Sequence, residues 1–226
     1  MRITEELKMI PQRFTILPYL LAVKELRGVS SGVEEMSFDD IVRHHETKTG
    51  NQMLRAFTLV AKFEVLVVRQ NFNAAKSLLL SSGDLRPFVP GFFQHPRYTI
   101  LEGLIALKAA QTENTFLERR RWKKRAMKSI KLLRGMAKKG NVNVVHMLHL
   151  LTAELASLEG KKKKTEENFK AAISVAAKNG FMQDRALSHE LAGQYFAKKG
   201  DNYWSDFHKE NAVTFYSEWG VKRFEQ

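Results

Sequence analysis

Apolar residues recur at three- and four-residue spacing through most of the second half of the chain, which is the period of an amphipathic α-helix. After Gly160 they form one stripe that includes Phe169, Ala172 and Ala176. The segment after Gly140 differs, because apolar residues cover it nearly all round. We therefore expect the helix after Gly140 to be buried on several sides and the helix after Gly160 to pack through one face.

Glycines divide this region into equal lengths. Five of them stand twenty residues apart: Gly140, Gly160, Gly180, Gly200 and Gly220. Glycine closes a helix in the left-handed conformation without a Cβ penalty, so each is predicted to end a helix, and Asp201 is predicted to cap the next one. About 16 helical residues, or roughly 24 Å, remain between turns. Successive helices of equal length joined by short turns run antiparallel, so the predicted unit is a helix hairpin that repeats every 40 residues.

The pattern upstream of residue 140 is less regular. Residues 54–70 and 74–82 are predicted to form one helix pair, and residues 98–110 and 116–139 a second. Between the pairs, residues 84–96 contain three prolines and a glycine, too many breakers for a helix. This segment is predicted to be a loop that folds back onto the helices through its phenylalanines: Phe88, Phe92 and Phe93.

The N-terminal part of the chain contains only short predicted helices. Pro18 suits the first turn of one helix, and Ser37 with Asp40 forms a start that resembles a capping box for another. The sequence therefore divides into an irregular helical cap or linker, residues 1–50, and a helical repeat domain, residues 51–226.

Several segments resemble tetratricopeptide repeats. Residues 191–201, LAGQYFAKKGD, followed by Ala212, match the pattern in which a small residue and an aromatic precede a Gly-Asp turn and an alanine follows. Residues 69–75, RQNFNAA, resemble the same turn in an earlier copy. More specifically, residues 179–220 resemble the helical-repeat tail that follows the ATPase module in large multidomain signalling proteins of the kinase-coupled ATPase type. The likeness extends over about residues 95–220.

This resemblance implies an all-α fold: a right-handed stack of antiparallel helix hairpins, that is, a tetratricopeptide-like α-solenoid. Two features depart from the family pattern. The repeat is 40 residues long instead of 34, which implies longer helices, and the proline that often ends a unit is missing. The sequence has no Gly-rich phosphate-binding loop, so the ATPase and kinase activities of such proteins do not carry over.

The composition of the chain predicts that its binding partner is acidic. The formal net charge of +13 favours an acidic protein segment, a nucleic acid or an anionic surface. The absence of cysteine excludes disulfides, thiolate zinc sites and a cysteine nucleophile. The most apolar stretch, residues 56–68, is interrupted by Lys62 and Glu64, and no membrane span or signal peptide is predicted. We therefore expect an intracellular protein, cytoplasmic or alternatively nuclear.

The densest basic cluster lies on one predicted helix. It consists of Arg119, Arg120, Arg121, Trp122, Lys123, Lys124 and Arg125. Its charges suit a phosphate backbone, with Trp122 stacked on a base. The favoured alternative is that the charges form a solvated face while Trp122 anchors the helix in the core, and a nuclear-import signal is a third interpretation.

A second basic run opens a later helix, where positive charge opposes the helix dipole. It consists of Lys161, Lys162, Lys163 and Lys164. The placement indicates either a bound anion or, as we favour, an ordinary surface turn.

Neither the histidines nor any known catalytic sequence motif predicts a catalytic site or a metal site. His146 and His149 share a helix face, but no third ligand completes a site, so both are expected in the core or in contacts between helices. Glu190 is expected in a polar contact between helices. The sequence contains no nucleophile elbow, HExxH, EF-hand loop or dinucleotide fingerprint. No cofactor, metal or enzymatic activity is therefore predicted.

These observations favour a non-catalytic scaffold for protein–protein interaction in signalling or regulation. Extended repeat surfaces bind peptides or helices, and the positive charge would select acidic segments. The alternative is an RNA-binding helical repeat that uses the basic helix, residues 119–139. A small-molecule substrate is not expected, and an enzyme is the least favoured class.

Overall fold

The computed structural model describes residues 10–29 and 36–221, with side chains described from residue 16 onward. The described residues contain helices and no strand, so the all-α prediction is confirmed. The helices are α1 Ile10–Arg27, α2 Phe38–His44, α3 Gln52–Val68, α4 Phe72–Ser82, α5 Gln94–Thr112, α6 Phe116–Lys138, α7 Val145–Leu158, α8 Lys162–Lys178, α9 Met182–Lys198 and α10 Asn202–Glu218. None of the helices in these ranges is both long and apolar enough to cross a membrane.

The chain forms two compact units, Met1–Tyr98 and Thr99–Gln226, and the boundary lies within α5. The expected division at residue 50 rested on the regularity of the repeat, which is a different criterion, and it stays a prediction. The expected cap, residues 1–50, is described only in part.

In the first unit, α3 is the central helix, because α1, α2 and α4 all pack against it. Ser37 and Asp40 form the predicted capping box at the start of α2. The sequence predicted Pro18 in the first turn of a helix, and this prediction is wrong. Pro18 lies inside α1, because the described part of this helix already extends eight residues further upstream, to Ile10. An internal proline removes one backbone hydrogen bond, and this 18-residue helix continues through it.

The proline-rich loop of the first unit is anchored at several points. The ring of Phe92 lies edge-on to Phe57, with centroids 5.3 Å apart, so the prediction that the loop folds back is confirmed for this residue. The hydroxyl of Tyr98 donates to the carbonyl oxygen of Gly83 at 3.0 Å. The guanidinium of Arg86 lies over the ring of Tyr98 at 5.3 Å. These contacts fix the connection between α4 and α5.

In the second unit, each helix from α6 to α10 packs against the next one in sequence. The odd-numbered helices also contact one another. Leu151 of α7 lies directly over Gly103 of α5, α7 packs on α9, and Lys108 of α5 donates to the side-chain oxygen of Gln194 of α9 at 3.3 Å. The predicted burial of the helix after Gly140 is confirmed, because α7 contacts α5, α6, α8 and α9. The helix after Gly160 buries the single face that was predicted, including Phe169, within α8.

The five predicted helix stops are confirmed by their backbone conformation. The glycines have positive φ angles between 71° and 88°. At Gly160 the amide donates to the carbonyl of Ser157 at 3.1 Å, and the amide of Lys161 donates to that of Ala156 at 2.9 Å. This pair of bonds is the Schellman motif, and it recurs at the other four turns. Asp201 caps α10 as predicted, since its carboxylate accepts from the amide of Trp204 at 3.2 Å.

Candidate functional site

A groove of about 720 Å³ lies in the second unit. Its lining residues come from α8, α9 and α10. Both α8 and α10 pack against α9, so α9 forms the floor and the other two helices form the walls. The apolar lining consists of Phe169, Ile173, Phe196, Trp204 and Phe207.

Aromatic side chains of α10 build one wall of this groove. His208 stacks on Phe196 of α9 with an interplanar angle of 7° and a centroid distance of 5.5 Å. The ring of Trp204 packs edge-on against Phe207 with centroids 5.4 Å apart. Trp204 and Phe207 remain 44% and 43% exposed. The wall therefore offers large aromatic surfaces that the fold itself leaves uncovered.

Two histidines meet in this region. The Nδ1 atoms of His189 on α9 and His208 on α10 are 3.0 Å apart. Burial, reinforced by the neighbouring His208 and Arg185, lowers the pKa of His189 to about 3. Burial also lowers the pKa of His208. Both rings are therefore neutral at pH 7, and one donates its Nδ1 proton to the other.

Arg185 lies one helical turn before His189 on α9. Its guanidinium carbon is 3.7 Å from the centroid of the Phe215 ring. Its Nε is buried and has no hydrogen-bond partner among the described residues, and no carboxylate in the same ranges forms an ion pair with it. Two acidic residues line the groove, Glu166 and Asp201. Asp201 is occupied as the cap of α10.

The four lysines that open α8 have different surroundings. Lys161 pairs with Glu159 at 2.7 Å, and Lys163 approaches Glu167 at 3.9 Å. Lys162 lines the groove, whereas Lys164 is exposed. Lys162 is therefore the member of this basic run that reaches the groove.

The basic cluster on α6 lies outside the groove. Trp122 is only 5% exposed, and the guanidinium of Arg125 lies 5.7 Å from its ring centroid. This burial supports the interpretation in which Trp122 anchors the helix, and its ring has no free face for a base.

Part of the charge in this cluster is neutralised by ion pairs. Lys123 pairs with Glu159 at 2.7 Å and Arg125 with Glu102 at 2.9 Å, while Arg121 lies 3.7 Å from Glu118. Hydrogen bonds from Lys123 and Lys161 lower the pKa of Glu159 to about 2.

The outer face of α6 keeps an unpaired row of basic side chains. Its exposed members, which form no ion pair within the described residues, are Arg119, Arg120, Lys124, Lys128, Lys131, Arg134 and Lys138. Five of these residues line a shallow depression of about 640 Å³ together with Met127, which is 51% exposed. We call this row the α6 basic face.

Histidines 146 and 149 each meet a protein partner, as the core interpretation expects. His146 Nε2 lies 2.8 Å from a carboxylate oxygen of Asp184, and His149 Nδ1 lies 3.0 Å from the side-chain oxygen of Asn168. The described residues contain no group of three or more potential ligands placed to hold a metal. Glu190 makes the predicted polar contact between helices by accepting from the hydroxyl of Tyr216 at 3.0 Å.

Arg185, His189 and Trp204 were missed as site residues by sequence reasoning. The available signal was the concentration of aromatic residues within residues 195–219.

No protein-family model matches this chain, and neither a curated protein nor a solved structure matches it significantly. The geometry of the groove and of the α6 basic face is therefore what bears on function.

Proposed function

We propose that this protein is a non-catalytic helical-repeat scaffold that binds a segment of a partner protein in the groove between α8 and α10. In this proposal, residues 99–221 form a right-handed, tetratricopeptide-like stack of antiparallel hairpins. The Schellman turns at twenty-residue spacing and the contacts among α5, α7 and α9 support that arrangement. The resemblance of residues 179–220 to the repeat tail of signalling proteins supports a regulatory role inside the cell.

One observation carries the proposal: two adjacent aromatic side chains, Trp204 and Phe207, are nearly half exposed at the edge of a defined groove. Tryptophan, tyrosine and arginine dominate the binding energy of protein interfaces, and they act best in pockets that exclude water. The groove combines such aromatic anchors with Arg185 and with charged residues at its rim. Walls formed by two helices also suit a helical or extended peptide segment.

The proposal is tested by selecting binders from a displayed library of random peptides against the wild-type protein. The selected peptides are then titrated against Trp204→Ala, Phe207→Ala and the control Phe116→Ala. Phe116 is 69% exposed on α6 and does not line the groove. We expect each groove variant to weaken binding at least about tenfold, the loss typical of an interface hot spot, and the control to bind normally. Peptides that bind both groove variants as tightly as the wild type would contradict the proposal.

A second candidate function is nucleic-acid binding, with RNA expected from the sequence, through the α6 basic face. The observation in its favour is the unpaired row of Arg and Lys side chains on a helix whose one acidic residue is Glu118. Because Trp122 is buried, such binding would depend on phosphate contacts and not on base stacking.

Titration with duplex DNA and with RNA at several salt concentrations tests this second candidate. The logarithm of the affinity should fall linearly with the logarithm of salt, with a slope of about −0.9 per phosphate contact on DNA. Lys128→Glu with Lys131→Glu should reduce that slope by about two, whereas Lys178→Glu on α8 should leave it unchanged. Binding that disappears near physiological salt in the wild type would exclude it.

A further inference from the structure

Arg185 is a half-buried positive charge for which the described residues supply no counter-charge. Its guanidinium is stacked on Phe215 at 3.7 Å, and its Nε is buried with no acceptor among the residues that the structure describes. Burying a hydrogen-bond donor of a charged group is costly unless an acceptor compensates it. Arg185 also lines the groove, so a molecule bound there can provide the missing partner.

His189 supplies a second donor on the same face of α9. Arg185 and His189 are four residues apart on one helix and are therefore neighbours. When His208 donates its Nδ1 proton to Nδ1 of His189, the proton of the His189 ring is on Nε2. His189 is 4% exposed, and its Nε2 has no partner within the described part of the chain. A carboxylate is a group that accepts from both a guanidinium and a neutral imidazole.

The residues that line the groove around Arg185 also favour a ligand that carries a carboxylate. Lys162 and Lys170 stand at the groove with Arg185, against the carboxylates of Glu166 and Asp201. Asp201 already accepts the amide hydrogen bond that begins α10. Apart from Ser174 and Asn211, the remaining lining is aromatic or aliphatic, so the groove suits an apolar group next to the anion.

We propose that the groove selects a peptide segment in which an aspartate or glutamate side chain follows an apolar residue, and that Arg185 binds its carboxylate. This inference rests on the proposed function, and it names the chemistry of the partner segment. The planar guanidinium binds a carboxylate through two parallel N–H···O bonds, which lysine cannot do. Its stacking on Phe215 holds it in one orientation before the ligand arrives.

The test compares matched probes in the wild-type protein. Acetyl-Phe-Asp-amide and acetyl-Phe-Asn-amide differ by the charge of one side chain, and 4-phenylbutanoate and 4-phenylbutanamide repeat the comparison with free small molecules. Binding is followed by NMR of the Arg185 Nε–H and of the His189 ring nitrogens. We expect each acid to bind at least about tenfold more tightly than its amide and to shift both signals.

Two variants assign the preference to Arg185. Arg185→Gln should bind acid and amide probes equally, whereas Lys178→Gln, which removes a positive charge from α8 outside the groove, should keep the tenfold preference. The comparison in the wild type needs no variant and remains decisive if Arg185→Gln folds poorly.

Each other outcome overturns the inference in a different way. Equal binding of acids and amides refutes carboxylate selection while leaving the groove as a docking site for apolar segments. Binding of 4-phenylbutanoate without acetyl-Phe-Asp-amide assigns the site to a free small carboxylate and refutes the peptide. If neither acid binds at millimolar concentration, the groove does not recognise a carboxylate next to an apolar group. The proposed scaffold function would then still be supported if the peptide library yields binders that lack acidic residues.

Discussion

The Nδ1 atoms of His189 and His208 face each other at 3.0 Å between α9 and α10. At this distance one ring must donate and the other accept, so the pair holds a single Nδ1 proton. Protonating both rings would replace the hydrogen bond with repulsion between two cations, next to the charge of Arg185. The hydrogen bond between α9 and α10 therefore requires that at least one of the two histidines stays neutral.

This link predicts that stability falls as the pH drops below about 6.5. The pKa of His189 is about 3 in the folded protein, against the ordinary value of 6.5, so between these values the unfolded chain binds a proton that the folded chain does not. The stability from the neutral state is fully present above pH 6.5 and is lost at up to about 1.4 kcal/mol per pH unit below it. His208, whose pKa is also lowered, adds to the loss.

Urea unfolding between pH 5 and 7.5 measures this effect, comparing the wild type with a double variant, His189→Gln with His208→Gln. This range lies above the ordinary pKa of carboxyl groups, so Glu159, whose pKa is about 2, contributes little. His45 and His95 also have lowered pKa values, and they are present in both proteins. The double variant should show a clearly flatter dependence on pH, and equal slopes would refute the link.

The Schellman turns predict how substitutions at Gly160 rank. Its φ angle is +71°, a conformation that costs an L-residue roughly 1–2 kcal/mol, and no packing neighbour lies within 4 Å of the position that a Cβ would take. Backbone strain alone should therefore decide the loss. We expect Gly160→Ala to lose about 1 kcal/mol in chemical denaturation, Gly160→Asn less and Gly160→Val more. Equal losses for asparagine and valine would contradict this account.

The turns could be predicted from the sequence because a Schellman motif is local. Each depends on one glycine, the four residues before it and the one after it, all of which a single segment contains. The burial of α7 was also predictable, since apolar residues on every side of a helix require neighbours on every side. The position of Pro18 within its helix was not predictable, because no local signal indicates that α1 extends upstream as far as Ile10.

The groove could not be predicted for the opposite reason. It depends on the distance between α8 and α10, two helices that α9 separates in sequence, and no local pattern reports that distance. Adjacent positions such as His189 and Glu190 point to different neighbours, so the pairing of His189 with His208 could be seen only in the tertiary structure.

For Trp122 the sequence left two interpretations open, base stacking or anchoring of the helix in the core, and the burial of its ring supports anchoring.

The close approach of α5 and α7 predicts opposite effects for two glycine-to-alanine substitutions. A Cβ at Gly103 would lie 2.5 Å from Cδ1 of Leu151 and 3.2 Å from the Cβ of Ser129. Leu151 is fully buried and the Cβ of Ser129 is fixed to the backbone, so neither atom can easily withdraw. Overpacking of this kind costs about 1–3 kcal/mol, more than the helix propensity that alanine adds. We expect Gly103→Ala to be destabilised by about 1–2 kcal/mol in urea or thermal unfolding.

Gly135 on α6 is the matched control, because a Cβ added there would meet no packing neighbour within 4 Å. Gly135→Ala should gain up to about 1 kcal/mol through helix propensity alone. A gain at both positions would show that α5 and α7 are not in the contact described.

The buried pair of His146 and Asp184 joins α7 to α9 and predicts a strong energetic coupling. The two side chains are each 1% exposed, their atoms are 2.8 Å apart, and the His146 ring stacks on Phe181 at 4.4 Å. Removing one member leaves the other buried without this partner. His146→Ala and Asp184→Ala should therefore each cost at least about 2 kcal/mol. The double variant should cost at least about 1 kcal/mol less than the sum, measured by urea unfolding as a double-mutant cycle.

The pair of Asp206 and Lys209 on the surface of α10 provides the reference cycle. Its atoms are 3.5 Å apart and its side chains are 66% and 56% exposed, so solvent screens the interaction and the coupling should stay below about 0.5 kcal/mol. A coupling at His146 and Asp184 no larger than this reference would mean that the contact between α7 and α9 adds nothing specific to stability. A large one would identify this polar contact as a determinant of how the two helices are aligned, because an apolar interface tolerates sliding that a buried hydrogen bond does not.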